Sequence, residues 1–368
     1  MKIALLSYST RPRGGVVHTL ALAEALAAAG EDVTVWSLGR GGDRGFFREV
    51  DDEVRVRIVP FPDGPREETV GARILRSIAT LRAAFAPCAA AYDIVHAQDC
   101  ISANAAGPCV RTVHHLDHFT TPELAACHER AIVEPYAHLC VSRSVADELR
   151  AGWGLDPAVI PNGVAYERFA STEPAARAAW RARLGPYVLT VGGIEPRKGS
   201  LDLIEAYALL RAARPDVRLV IAGGETLFDY RDYRARWEAR AAALGIEPVV
   251  LGAVPESDLP PPVAAADAFA FPSLKEGFGL AAMEALAAGV PLVVRDLPVL
   301  REVFGSAARF ADTPEAFATA LGHALTSDDP VRAALGRKLA ARHTWTEAAA
   351  RHLAFYRSVT GGSHRRVG

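Results

Sequence analysis

"YVLTVGGIEPRKGSLDLIEAYALLRAARPDVRLVIAGG", residues 187–224, decides the reading of this chain. An apolar run rich in β-branched residues, "YVLTVGG", ends on glycine, and a turn holding Arg197 and Lys198 follows. "SLDLIEAYALLRAARP" then carries apolar residues at helical spacing, and "VRLVIAGG" returns to strand character. Strand, basic turn, helix and strand in succession make a βαβ unit.

The same order opens the chain. "KIALLSY" reads as a strand, "RPRGG" as a basic turn, "VVHTLALAEALAAAG" as an amphipathic helix ending at Gly30, and "DVTVWSL" as the next strand. Two starts of one grammar in 368 residues indicate two α/β domains. The expected boundaries are 1–165 for the first domain and 186–345 for the second. Residues 166–185, with "STEPAARAAWRARLGP" and its Pro174 and Pro186, are expected to be a linker. Residues 346–368 are expected to form a final amphipathic helix that packs back on the first domain, then a frayed tail.

Further buried strands carry polar residues at their ends. In the first half these are "YDIVHAQD", "CVRTVHH" and "AHLCVSRS", ending near His96, Asp99, His114 and Ser142; in the second, "PVVLGAV", "AFAFPS" and "PLVVRD" behave likewise. Open parallel sheets bind ligands at the carboxyl ends of their strands, so both domains are expected to present binding edges to a cleft.

Composition bounds the partners. Half the residues are hydrophobic and 23% are charged, as in a well-cored globular protein. A net charge of −2 gives no overall drive towards nucleic acid or anionic membrane. "MKIALLSYST" lacks the apolar core of a signal peptide, and no apolar run is expected to span a bilayer. Five widely spaced cysteines read as reduced core residues of a cytoplasmic protein. The segment "ARILRSIATLRAAFA" places Ile74, Leu75, Ile78, Leu81 and Phe85 on one helical stripe, with Arg73, Arg76 and Arg82 around it. A core-facing helix with a solvated basic face accounts for this. The sharper reading is weak peripheral docking at the inner face of an anionic membrane.

Chemistry concentrates in two places. "LKEGFGLAAMEALAAGVP", residues 274–291, sets Glu276 and Glu284 eight positions apart. Gly277 and Gly279 disfavour helix interior, so Glu276 belongs on a loop and the helix starts near Leu280 with Glu284 in its second turn. Acids at a helix N-terminus are unsuited to holding phosphate themselves, but they suit the hydroxyl groups of a ligand whose phosphates lie nearby. The turn at Arg197 and Lys198 supplies cations for those phosphates. It is neither a dinucleotide fingerprint nor a Walker loop, which lowers NAD-linked and ATP-driven readings. "HHLDH", with His114, His115, Asp117 and His118, matches no zinc spacing, and no Asp-x-Asp is present to chelate a metal.

These motifs together resemble the retaining glycosyltransferases of family 4. The resemblance is carried by "RPRGGVVHTLALAEALAAAGEDVTVW", "YDIVHAQD", "TVHHLD", "CVSRSVADEL", "VIPNGVAYERF", "VGGIEPRKGSLDLIEAY", "LVIAGG", "VVLGAVPESDLP" and the full Glu-x7-Glu element in "FPSLKEGFGLAAMEALAAGVPLVVRDLPVLREV". It implies the GT-B fold: two Rossmann-like, doubly wound parallel-sheet α/β domains facing each other across a cleft, with the acceptor on the first and the nucleotide sugar on the second. It implies transfer of a sugar from a nucleotide diphosphate sugar to a sugar, lipid-linked or small-molecule acceptor, with retention at the anomeric carbon and without metal or other cofactor. Glu276 would contact the donor sugar, and Gly277, Phe278, Gly279 and the helix from Leu280 would receive its phosphates. Glu284 would hold the ribose hydroxyls, and Arg197 and Lys198 would neutralise the leaving diphosphate. Gly15 would let backbone approach the phosphates or acceptor, His114 would sit beside the reacting sugar, Asn162 would lie at the domain hinge, and backbone near Ala253 and Val254 would meet the base. Many members carry arginine where this chain has Gly193. The competing readings are a nucleotide-sugar epimerase or a phosphorylase on the same fold, and a non-catalytic sugar-nucleotide sensor.

Overall fold

The computed structural model describes residues 1–65, 67–116, 119, 121–223 and 230–361. Asp117 and His118 of the "HHLDH" stretch and the tail 362–368 lie outside the described residues. The chain divides into two compact units, Met1–Gly163 with Trp345–Gly368, and Val164–Thr344.

The first unit starts with β1 (Lys2–Leu6), α1 (Gly14–Ala28), β2 (Asp32–Arg40), β3 (Arg55–Phe61) and α2 (Val70–Phe85). It continues with β4 (Ile94–Ala97), α3 (Cys100–Ala106), β5 (Val110–Val113), α4 (Pro122–Val133), β6 (Ala137–Cys140), α5 (Arg143–Trp153) and β7 (Ala158–Val159). These strands pair in parallel in the order β3-β2-β1-β4-β5-β6-β7. β1 therefore lies between β2 and β4, and the strand order reverses there, which opens a crevice at the carboxyl ends of β1 and β4. Tyr8, just past β1, donates its amide to the Asp99 carboxylate past β4 (2.9 Å), tying the two sides of the crevice together.

Several polar residues that the sequence placed at strand ends have structural duties. Asp99 and Ser102 form a reciprocal cap on α3, and the Ser142 hydroxyl caps α5 through the Val145 amide. His96 is buried, bonded to Thr112 and Tyr356 (both 2.7 Å).

The second unit opens with α6 (Tyr166–Ala170) and α7 (Pro174–Leu184), so the segment expected as a linker is helical and belongs to this unit. Pro174 occupies the first turn of α7 and Gly185 follows its end, the positions these residues favour at helix limits. Next come β8 (Tyr187–Val191), α8 (Ser200–Ala213), β9 (Arg218–Ala222), α9 (Arg231–Ala243), β10 (Val249–Gly252), α10 (Pro260–Ala264) and β11 (Ala268–Phe271). α11 (Leu280–Ala287), β12 (Leu292–Arg295), α12 (Pro298–Phe304), β13 (Ala308–Ala311), α13 (Pro314–Thr326) and α14 (Pro330–Arg342) complete it. Its parallel sheet runs β10-β9-β8-β11-β12-β13, with the reversal between β8 and β11. The loops after β8 and β11 carry Arg197, Lys198 and Glu276, so the topology brings them to one crevice. A Cβ on Gly223 would lie 1.8 Å from the Gly192 carbonyl oxygen, so only glycine lets the loops after β8 and β9 touch backbone to backbone.

The chain ends with α15 (Trp345–Gly361), which packs on α1 in the first unit. Its Ala349, Leu353 and Tyr356 join Leu20, Leu26, Val33 and Ile94 in one core cluster. Burying a side chain the size of Leu353 or Tyr356 is worth about 1.5–3 kcal/mol, so these two contacts anchor the helix, with Ala349 allowing close approach.

α2 differs from expectation in two ways. With the turn that follows it, Val70–Ala91 has the length and composition to cross a membrane, contrary to the absence expected from the sequence. Here its Ile78, Leu81 and Phe85 are buried in the first unit's core, while Leu75 is 43% exposed and lies off the buried stripe. Arg76 bonds Glu68 and Arg82 bonds the Asn104 carbonyl, so two arginines of its polar face hold protein partners.

Candidate active site

In the second unit, Glu276 sits on the loop between β11 and α11, and α11 begins at Leu280. Gly279 precedes it with φ 96°, and a Cβ there would lie 3.1 Å from Phe304 and 3.3 Å from Phe271. Positive φ and this crowding both select glycine, which turns the chain sharply enough to aim the first amides of α11 outward. Phe278 is buried, with its ring 5.7 Å from that of His343.

The turn after β8 is locked to this loop. Leu274 donates its amide to the Arg197 carbonyl (2.8 Å), and Arg197 Nη1 donates to the Lys275 carbonyl (3.2 Å). Gly199, at φ 63°, lets the start of α8 approach the Pro272 carbonyl, to which buried Arg295 also donates through Nε (3.1 Å) and Nη2 (3.0 Å). Arg295 is in turn ion-paired with Asp202 of α8.

Within that frame Lys198 Nζ lies 2.5 Å from Glu276 Oε1, and Arg197 Nη1 lies 3.2 Å from the same oxygen. Arg197 Nη2 also reaches Glu195 at 3.2 Å. Burial opposes ionisation of Glu276, but the charges of Lys198 and Arg197 outweigh it and hold the carboxyl at about 2. Lys198 also lies 5.2 Å from the Phe271 ring and against Gly192, with Gly193 beside it in a small pocket. Arg197 and Lys198 thus place two cations at this end of the sheet, balanced by the carboxylates of Glu195 and Glu276.

Glu284, in the second turn of α11, has a different environment. Burial pushes its carboxyl up to about 8, although part of its surface is accessible; Arg168 of α6 pulls it down and Glu256 pushes it up. Arg168 directs Nη1 to the Glu256 carboxylate (2.5 Å) and Nη2 to the Glu256 carbonyl (2.6 Å). The guanidinium is thereby held by Glu256 rather than given to Glu284. Sequence reading missed Arg168 and Glu256; they stand 88 positions apart, and no local pattern joins them. The Glu256→Gln variant should release Arg168 towards Glu284. The Glu284 carboxyl, followed by carbon NMR, should then titrate well below its position near 8. An unchanged titration would remove Glu256 from this role.

Val254 is half-buried and Ala253 exposed on the loop after β10. Gly15 and His114 come together in the first unit: a Cβ on Gly15 would stand 3.9 Å from the His114 ring. His114 Nε2 lies 3.3 Å from Gln98 Oε1, and its ring meets that of His18 edge-on at 4.7 Å. Burial, with Arg111 and His115 adding to it, lowers the His114 pKa well below that of a free imidazole, so the ring is neutral at neutral pH. Asn162 is buried and bonds His18 Nδ1 through Oδ1 (2.9 Å), directly before the boundary at Gly163. Among the described residues no three His, Cys, Asp or Glu side chains are grouped as a metal site.

The two halves match two family descriptions: "Glycosyltransferase Family 4" over residues 12–168 and "Glycosyl transferases group 1" over residues 176–342. A D-inositol 3-phosphate glycosyltransferase of Xylanimonas cellulosilytica is 30% identical over 98% of this chain and 97% of its own. A phosphatidyl-myo-inositol mannosyltransferase of Mycobacterium tuberculosis is 31% identical over 70% of this chain and 69% of its own. Among solved structures, Anabaena HepE in complex with UDP-glucose superposes with a TM-score of 0.74 at 19% identity, covering 96% of this chain and 99% of that one. The fold is GT-B, and the chain belongs to the family 4 glycosyltransferases. It is accordingly a glycosyltransferase enzyme.

Proposed function

We propose that the second unit binds a nucleotide diphosphate sugar and that the enzyme transfers the sugar to a carbohydrate acceptor on the first unit, with retention and without a metal ion. The observation that carries this reading is the convergence of Lys198 and Arg197 on Glu276 beside the N-terminus of α11. A departing diphosphate needs positive charge and amide donors where its negative charge develops, and this crevice offers both. The relative whose solved structure holds UDP-glucose favours a nucleotide-sugar donor.

In this reading Glu276 accepts hydrogen bonds from hydroxyls of the donor sugar, and Gly277, Gly279 and the first amides of α11 face the phosphates. Glu284 accepts from the ribose hydroxyls, and the backbone near Val254 meets the base. The bond from the anomeric carbon to the diphosphate oxygen breaks, and Lys198 and Arg197 stabilise the oxygen that leaves. The acceptor hydroxyl bonds the anomeric carbon on the same face, and its proton passes to the departing phosphate. His114, neutral and beside Gly15, contacts the transferring sugar from the first unit. No metal is required because two side chains supply the charge.

Thermal stabilisation by UDP, GDP, ADP, CDP and dTDP tests this, with Glu284→Ala alongside. One nucleotide should raise the melting temperature, and the variant should lose that shift. A cooperative melt unmoved by any of the five would overturn the donor assignment. NMR of the product's anomeric proton then reads the stereochemistry directly.

A further inference from the structure

Arg295 is the one charged residue of β12, where "LVVR" is buried at all four positions. Its side chain is buried as well, at the carboxyl end of the strand next to β11. A desolvated ion pair is a poor source of stability, and apolar side chains of similar volume often replace one without loss. What a guanidinium provides that they lack is a planar fork of donors with fixed directions. Arg295 spends that fork on three separate segments.

Nε (3.1 Å) and Nη2 (3.0 Å) both donate to the carbonyl of Pro272, which directly follows β11 on the loop to Glu276. Nη2 also pairs with the Asp202 carboxylate in the first turn of α8, the helix that starts just after Lys198. Nη1 donates to the Asp312 carbonyl past β13 (2.6 Å), and the Phe317 ring of α13 lies 5.4 Å from Cζ. Gly199 stands among these contacts: a Cβ there would fall 3.2 Å from Arg295 Nη2, so the residue next to Lys198 packs directly on the guanidinium. The charges that hold Glu276 ionised are those of Lys198 and Arg197. Arg295 grips the backbone from which all three project.

We propose that Arg295 is a positioning residue for the transfer reaction: by clamping the Pro272 carbonyl to Asp202, it sets how Lys198 meets Glu276. This inference rests on the proposed function, in which those two side chains face the departing diphosphate and the donor sugar, and it names what holds them in place. Preorganised charge accelerates a reaction only while its geometry is kept. A displacement of about 1 Å, caused by a mutation away from the chemistry, can cost about 10²-fold. Arg295→Met fills much of the volume but withdraws the donors from Pro272, Asp312 and Asp202 together.

The test uses the full chain with Arg295→Met, Arg295→Lys and Asp202→Ala. The first reading is the Glu276 carboxyl, followed by carbon NMR. In the parent it should stay ionised through the range around 4.5 where ordinary glutamates titrate. In Arg295→Met it should titrate inside that range, because Lys198 and Arg197 are no longer held against it. Asp202→Ala separates position from charge: losing an acid would by charge alone push the carboxyl further down, whereas loosening α8 pushes it up. It also keeps the proposal open to refutation if Arg295→Met does not fold. The second reading is release of nucleoside diphosphate from UDP-, GDP-, ADP-, CDP- and dTDP-glucose. On the one that the parent consumes, kcat should fall about 10–100-fold in Arg295→Met with KM nearly unchanged, and Arg295→Lys should recover part of it. Arg332 is the control. Its guanidinium likewise joins a carboxylate (Asp329, 3.0 Å) and two carbonyls (Ser306, 2.6 Å; Ala308, 3.0 Å), but at the amino end of β13. Arg332→Met should leave both readings at the parental values. A Glu276 titration unmoved in the Arg295 and Asp202 variants, parental turnover in Arg295→Met, or an equal change in Arg332→Met would each overturn the assignment. A parent that consumes none of the five counts against the donor reading instead, and the titration alone then decides Arg295.

Discussion

Lys198→Ala should lower kcat/KM by about 10²–10³-fold, the usual consequence of removing one preorganised donor to developing negative charge. The fold should survive, because the turn after β8 is held by Leu274, Arg197 and Gly199 rather than by the lysine. Glu276 supplies a second readout. Its carboxyl stands at about 2 with Lys198 at 2.5 Å; with the lysine gone, Arg197 at 3.2 Å is the cation left, and burial pushes the carboxyl upward. A depressed carboxylate stabilises the fold above its unfolded pKa of 4.5, and that stability is lost as pH falls through its folded value. The variant should therefore have less of this carboxylate stabilisation to lose, so its loss of stability on acidification below 4.5 should be smaller than the parent's. Steady-state kinetics with acid titration checks both, and turnover within threefold of the parent would exclude Lys198 from the chemistry.

Acid should loosen the first unit well before it harms the second. His18, His96 and His352 are buried together: His352 lies 6.2 Å from His18 and 5.9 Å from His96 between ring centroids, and Trp345 stands 5.4 Å from His18. Burial lowers all three, and His352 falls to about 4. The cations favour the unfolded chain, so the stability these rings confer is complete above 6.5 and declines as pH falls towards their folded values. For His352 alone, the shift from 6.5 to about 4 corresponds to roughly 3 kcal/mol. Hydrogen-exchange protection along α15, taken relative to intrinsic rates at each pH, should fall between pH 6.5 and 4, and His352→Leu should flatten that dependence. A variant with the parental profile would show that the ring does not govern it.

Much of this was legible in the sequence because it is written locally. The strand-turn-helix restart at Tyr187 and the glycines that begin α11 at Leu280 each follow from neighbours in the chain. The failures share a cause as well. Pro174 and Gly185 look like linker punctuation, but they are the limits of α7, and only packing in the second unit decides between those readings. Leu75 fits the apolar stripe of α2 by spacing, yet it falls outside the face that the sheet covers. The Arg168–Glu256 pair and the histidine cluster join residues far apart in sequence, which pattern reading does not connect.

The order of synthesis gives α15 a role in timing. The first unit's core is built from residues up to Gly163 and from a helix that starts at Trp345, with all of Val164–Thr344 translated in between. At ribosomal rates of about 5–20 residues per second, roughly 10–40 s separate β7 from the helix that covers α1. During that interval the apolar faces of Leu20, Leu26 and Ile94 have no partner from α15, while the second unit already has its full sequence. The nascent chain should thus complete its domains in the reverse of their starting order, and the incomplete first unit is the surface a chaperone would meet.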